Sequence, residues 1–503
     1  MPVSRRNVLV QGSAIGAGVI AAHLSGITAL AQAQPPQRRS LDDLLLNDPV
    51  IEAWREAVRQ MKAKSAGDPL GWASLAAIHG TTAGFIRCPH GNWYFLPWHR
   101  GYVLMYERLT RELTGYQDFA LPYWDWTRNR QLPPAFAQAT VNGSPNPLFE
   151  PSRTMGPMDS LPDEIVGPDV ISTIMGETTF EIFGTSRPQG QNSLDPSWIT
   201  RRTGAQGTLE ATPHNNVHGI VGGIMASSRS ALDPIFMMHH CNIDRIWAVW
   251  RAAENPDSTE ALWLGMPFQN HFFNPDGTPY SPQVSDLLSV EPLGYTYGLA
   301  GPQVSLPPSV LNLDSRLRTV FAAPGVSAAV GVRTFEASND QQAQPTRPLE
   351  VLVQVERSLV AAVSRRPSLG AGAELLDVNR ARAAAASRAR AFAFIRDIAV
   401  ANDQATQYRV FIDCDYLSQS TPITDDHYIG TFGFFGEHGE HEGHAEAKPS
   451  IVMDLTPAIE RLYDSAPEAP DQIRVQLLPV PRGKAELDQT GTATPGRIEI
   501  AFV

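Results

Sequence analysis

Cysteine is scarce, with three residues in a chain of 503. Three thiols cannot build a disulfide framework, so the fold must be held by its core. Charge is thin as well: 18% of the residues are Asp, Glu, Lys or Arg, and the net charge is −12. Binding to a phosphate backbone needs a basic face, so nucleic acid is excluded as the main partner. No internal repeat is visible. What is present is a mixture that is 43% hydrophobic with 41 Pro and 39 Gly. It suits a loop-rich globular protein with a large core and excludes a mainly disordered chain. At roughly 150 residues per domain, the length predicts two to four domains.

The first segment reads as an address rather than as fold. Arg5 and Arg6 precede a weakly apolar run from Val8 to Leu30, and Ala29, Ala31 and Ala33 follow at cleavage-site spacing. This pattern predicts a twin-arginine signal over 1–33 and a periplasmic or secreted protein. Gly12, Gly16, Gly18, Gln11, Ser13 and His23 make the same run a poor membrane span. Beyond it the pattern is helical. Asp48 and Pro49 open a helix whose Val50, Trp54, Val58 and Met61 share one face, and further helices are predicted at 70–79, 98–113, 213–221 and 233–253. A Pro-rich stretch at 301–308 marks a boundary. Strand-like runs follow at 349–356, 408–413, 451–455, 473–478 and 497–503, with an Ala/Arg-rich insert at 379–390. The expected architecture is a mainly α domain over 40–300, a linker over 301–345 and a β-sandwich-like domain over 346–503.

The histidines carry the chemistry. His214 and His218 stand four apart behind Pro213, a spacing that places two imidazoles one helical turn apart on one face. Such a pair can grip a metal, although two surface histidines would look the same. His239 and His240 follow on the next predicted helix and point about 100° apart. One of them can therefore complete a three-histidine set. Asp244, one turn on, can orient a ligand or brace the helices. Upstream, His79, His90 and His99 form a second trio over two helices and a loop. Two trios of imidazoles suggest a four-helix bundle holding two metals. All-nitrogen ligation argues against Mg, Mn and carboxylate-bridged iron; copper leads, with zinc left open.

Four segments extend this reading: Phe95-Leu-Pro-Trp-His-Arg, Leu121-Pro-Tyr-Trp-Asp-Trp, Pro213-His-Asn-Asn-Val-His and Asp233-Pro-Ile-Phe-Met-Met-His-His-Cys-Asn-Ile-Asp-Arg-Ile-Trp. Together they resemble the tyrosinases and polyphenol oxidases, the coupled binuclear (type 3) copper proteins, over about residues 40–300. The resemblance implies two copper ions, with His79, His90 and His99 on the first. His214, His218 and His240 would hold the second, leaving His239 beside the site. One departure is the separation of His79 and His90, shorter than the family usually shows. Cys88, two before His90, is similar to a fungal pattern in which a thioether joins the two side chains; a plain buried thiol is the alternative. The resemblance also makes Glu210 and Asn215 holders of a water that takes the phenolic proton, with Glu210 as a simple helix-entry residue the other reading. It makes Ser227 and Ser228 a small, open gate. Gly294-Tyr-Thr-Tyr is similar to a closing tyrosine motif on which Arg38 or Arg39 would stack. The β-rich part resembles a shielding domain, and its His438, His441 and His444 read as an exposed loop or a copper-delivery contact.

The implied activity is ortho-hydroxylation of monophenols and oxidation of o-diphenols to o-quinones with O₂. Small phenolic molecules would be the substrates. Catechol oxidation alone, or O₂ carriage of the haemocyanin kind, are the alternatives.

Overall fold

Asp48 accepts a hydrogen bond from Val50 N at 2.9 Å and Pro49 fills the first helical position, so helix α1 (Pro49–Ala63) starts where both residues direct it. Its Val50, Trp54, Val58 and Met61 are all buried. Helix α2 (Trp72–His79) and helix α3 (Phe95–Thr114) follow, and α3 ends at Gly115, whose φ of 69° is the left-handed conformation glycine adopts without strain. Helix α4 (Asn215–Val221) is short and α5 (Ile235–Ala252) is long; α3 packs on both α1 and α5. Asp233 opens α5 by accepting from Ile235 N at 3.0 Å. The computed structural model describes residues 34–298, 332–365, 389–436, 448–466 and 468–503. The predicted signal, the linker through residue 331, the insert through 388 and His438, His441 and His444 lie outside the described residues.

One expectation needs correcting. Pro213 does not open α4; it lies inside a widened π turn, Glu210–His214, and the regular helix starts at Asn215. Proline lacks an N–H and its ring clashes with the preceding turn, which a wider turn relieves.

A buried ion network ties the helices together. Asp244 accepts from Arg100 Nε at 2.6 Å, Arg38 Nη1 at 3.1 Å, Tyr295 Oη at 2.8 Å and Tyr297 Oη at 2.7 Å. Arg38 also pairs with Glu107 at 2.8 Å and lies 3.5 Å above the centre of the Tyr295 ring. Of the two candidate arginines it is Arg38 that stacks on the tyrosine motif, while Arg39 pairs with Asp48. Asp244 braces helices rather than touching a histidine.

Among the described residues, the C-terminal part is built around two facing sheets. One has five strands in the order β1 (Ala205–Gln206), β7 (Ser450–Asp454), β4 (Ala391–Arg396), β9 (Arg497–Phe502) and β2 (Arg333–Ser338). The other runs β6 (Tyr428–Gly433), β5 (Thr406–Ile412), β8 (Gln472–Pro481) and β3 (Leu349–Gln354). Ala393, Ile395 and Ile500 of the first sheet and Val351, Val410 and Val475 of the second share one buried cluster. Strand β1 belongs in sequence to the helical part, yet it pairs in parallel with β7, Ala205 opposite Ser450. The helical part thus contributes a strand to the β part, and β1 leads directly into the histidine-bearing turn. Among the described residues, no helix is long and apolar enough to cross a membrane.

Candidate metal centre

The end of α2, the loop before α3 and the first turn of α3 bring His79, Cys88, His90 and His99 together. The π turn with α4 and α5 brings together His214, His218, His239 and His240. Within each set the candidate ligand atoms all lie within 4.8 Å of one another, and every residue is buried. His79 joins its set despite the short spacing to His90. The two sets face each other: the rings of His99 and His240 stack at 4.2 Å between centroids, and those of His90 and His214 at 5.5 Å.

Hydrogen bonds at one ring nitrogen fix what the other can do. The Nδ1–H groups of His79, His99 and His218 donate to the carbonyls of Ser228 (2.9 Å), Phe95 (2.8 Å) and Met225 (2.9 Å). His214 Nδ1 donates to Asn215 Oδ1 at 2.9 Å. In each of these rings Nε2 therefore carries the lone pair. His79 Nε2 and His214 Nε2 are buried with no protein partner. His239 differs. An indole N–H can only donate, and Trp126 Nε1 lies 3.2 Å from His239 Nδ1, so that nitrogen is the acceptor and Nε2 carries the proton. A protonated Nε2 cannot bind a metal. His240 Nε2 instead lies 3.3 Å from His218 Nε2, so the two nitrogens face one point.

Burial lowers the pKa of His79 and His239 to about 3. Burial, then repulsion by neighbouring imidazoles, depresses those of His90, His214, His218 and His240 well below the usual range. Neutral imidazole is the ligating form, so the sites are set for metal at neutral pH. A buried, all-imidazole donor set with aimed lone pairs fits copper.

Cys88 Sγ lies 3.2 Å from His99 Nε2 and 3.8 Å from His90 Nε2. The Glu210 carboxylate accepts from Gly91 N at 2.7 Å and from the Thr185 hydroxyl. Burial lifts its pKa to about 7 against the pull of those two donors. Asn215 is fully engaged: while Oδ1 holds His214, Nδ2 donates to Gln206 Oε1 and Gly433 O, both at 2.8 Å. The turn at Ser227 and Ser228 serves through its backbone, the Ser228 carbonyl holding His79. The Ser228 hydroxyl donates to Thr81 O at 2.6 Å.

The space above the histidines is filled from elsewhere. Phe435, two residues past β6, stacks on the His218 ring at 3.9 Å and lies 5.2 Å from His90 and 5.5 Å from His214. Sequence reasoning missed this residue. It also missed Gln206 and Thr185, whose partners lie 9 and 25 residues away. The one available signal was the aromatic run Phe432, Phe434, Phe435, which breaks strand alternation beside a histidine-rich loop.

Residues 69–253 match the common central domain of tyrosinase. A tyrosinase of Hahella sp. (strain CCB-MM4) is 29% identical over 349 residues, 61% of this chain and 72% of that protein. The (+)-larreatricin hydroxylase of Larrea tridentata is 30% identical over 293 residues, 50% of this chain and 47% of that protein. The chain thus spans about half the length of this plant relative. Among solved structures, latent apple tyrosinase superposes with a TM-score of 0.62 at 21% identity, covering 93% of this chain and 98% of that one. That likeness shows the fold, a helical core with a C-terminal β domain. Both buried histidine clusters, suited to a binuclear copper site, lie within the matched residues, and the chain is similar there to the tyrosinases and polyphenol oxidases.

Proposed function

We propose that this protein is a copper-dependent phenol oxidase of the tyrosinase kind, hydroxylating monophenols and oxidising o-diphenols to o-quinones with O₂. The observation that carries this reading is an aromatic ring, that of Phe435, stacked on His218 between two clusters of neutral imidazoles. It marks a place where a phenol ring fits against the metal centre. His79, His90 and His99 would hold one copper and His214, His218 and His240 the other; the copper pair supplies O₂ activation when bound. The chain's own residues do the rest. Asn215 orients His214, the carbonyls of Ser228, Phe95 and Met225 orient three further rings, and Phe236 packs 4.1 Å from His240 to keep water out. Glu210, buried and close in pKa to neutrality, is suited to take a phenolic proton through a water.

The helices bearing the two trios are read as a four-helix bundle. The β part is read as a shield that holds the enzyme latent, with residues 40–300 as the catalytic domain. Arg5 and Arg6 support export by the twin-arginine route. Cys88 is proposed to form a thioether with His90, for which the proximity of the thiol to the ring is the support. Peptide mass spectrometry of active, copper-loaded protein would show two hydrogens missing there; an alkylatable Cys88 would refute the cross-link.

Catechol oxidation without hydroxylation is the second reading. It draws on Asn215, whose amide donors are both taken and leave none for a water. Copper analysis with rates on a monophenol and its o-diphenol separates the two. Both rates are expected from full-length Phe435→Ala, in which the ring over His218 is gone; a diphenol rate alone would select the second reading.

A further inference from the structure

Arg482 follows the end of β8 and is almost fully buried. Its Nη1 donates to the carbonyl of Phe434 at 3.0 Å. The guanidinium occupies space that two glycines leave. A Cβ on Gly219 would come within 2.4 Å of Nη1, and a Cβ on Gly433 within 2.3 Å of Nη2. Gly219 directly follows His218 on α4, and Gly433 ends β6, two residues before Phe435. The residue therefore reaches from the β part into a socket at the metal centre.

The segment it holds is tied at three carbonyls. Thr212 Oγ1 donates to Thr431 O and Asn215 Nδ2 to Gly433 O, both at 2.8 Å and both from the helical part. The third carbonyl, that of Phe434, is held by Arg482. Because a peptide unit is planar, fixing the Phe434 carbonyl fixes the plane that leads into Phe435. Arg482 Nε and Nη2 have no hydrogen-bond partner, and burial lowers the pKa to about 10, with Asp403 offsetting part of that cost. The group stays charged at neutral pH. An under-satisfied buried charge is a poor way to stabilise a core, which sets Arg482 apart from an ordinary packing residue.

We propose that Arg482 is the positioning residue of the shield: seated in the Gly219–Gly433 socket, it fixes the Phe434 carbonyl and thereby directs Phe435 over His218. The inference rests on the reading of the β part as a shield over a phenol-oxidising site, with Phe435 as the ring it places there, and the test separates the two. In the intact copper-loaded chain, Arg482→Met keeps bulk but removes the donors. Hydrogen exchange across residues 428–436 should accelerate about tenfold, the factor expected for losing one charge-assisted hydrogen bond. The protection of β8 should be unchanged, and o-diphenol oxidation should rise by a similar factor. Phe435→Ala, measured alongside, should raise the rate whatever Arg482 does. If it does so while Arg482→Met alters neither exchange nor rate, the role of Arg482 is overturned and the shield stands. Faster exchange with an unchanged rate would also overturn it. If no form oxidises a diphenol, the phenol-oxidase reading fails, and exchange alone still judges Arg482. Should Arg482→Met not fold, Gly219→Ala crowds the guanidinium from the helical side; it too should accelerate exchange across 428–436, and unchanged exchange would contradict the proposal.

Discussion

A single indole hydrogen separates two adjacent histidines. Both His239 and His240 belong to the second candidate metal cluster, but Trp126 occupies the lone pair of His239 Nδ1 and leaves the proton on Nε2. His240→Ala should therefore lower copper from two ions per chain toward one, whereas His239→Ala should keep two, as read by metal analysis of purified protein. The reverse pattern would exchange their roles. His271 illustrates a different residue-level effect. Its Nδ1 accepts from Trp98 Nε1 at 2.8 Å, and burial lowers its pKa from 6.5 to about 4. The unfolded chain takes up this proton first as the pH falls, so stability present above pH 6.5 is lost on the way down to 4, by at most about 3 kcal/mol. His271→Gln keeps an acceptor and cannot titrate. Its denaturant midpoint should fall less than that of the wild type across this window; equal falls would contradict the assignment. The six histidines proposed as ligands were legible in the sequence as two groups because helical spacing and short motifs mark them. The Trp126 bond spans 113 residues and was not.

At the scale of elements, the helices were readable and several strands were not. Asp48, Pro49 and a regular apolar face announce α1. The strand β3 alternates buried and exposed residues, whereas all six residues of β4 are buried and show no period of two. Glycine interrupts β6, and β1 has only two residues, so nothing local marks either one. What joins the helices is clearer than any single one of them. Asp244 on α5 neutralises Arg38 and Arg100, and those two cations hold its carboxylate below its ordinary range although burial opposes this. Asp244→Ala would leave two buried guanidinium groups under-compensated, at a cost of about 3–5 kcal/mol in urea unfolding. A loss under about 1 kcal/mol, as for an exposed pair, would show that the network does not brace the fold.

Across the whole molecule, the two parts are joined by more than a connecting chain. Strand β1 pairs with β7, Glu164 pairs with Arg409 at 2.6 Å, and Glu177 pairs with Arg390 at 2.8 Å. None of these contacts runs through the chain between residues 298 and 332, so the proposed shield is best tested in the intact chain. The Pro-rich boundary and the strand-like runs beyond it predicted the division into a helical and a β-rich part. It gave no sign that Phe435 of one part would rest on His218 of the other, a contact across more than 200 residues that only the docked fold creates. The most direct measurement is O₂ consumption with an o-diphenol by full-length, copper-loaded Phe435→Ala, beside the wild type at equal copper content. The account predicts two coppers per chain, quinone formed as O₂ is consumed, and a rate at least about tenfold above the wild type, the effect of about 1.4 kcal/mol of lost shielding. Two coppers that bind O₂ reversibly, with no diphenol turned over, would contradict it.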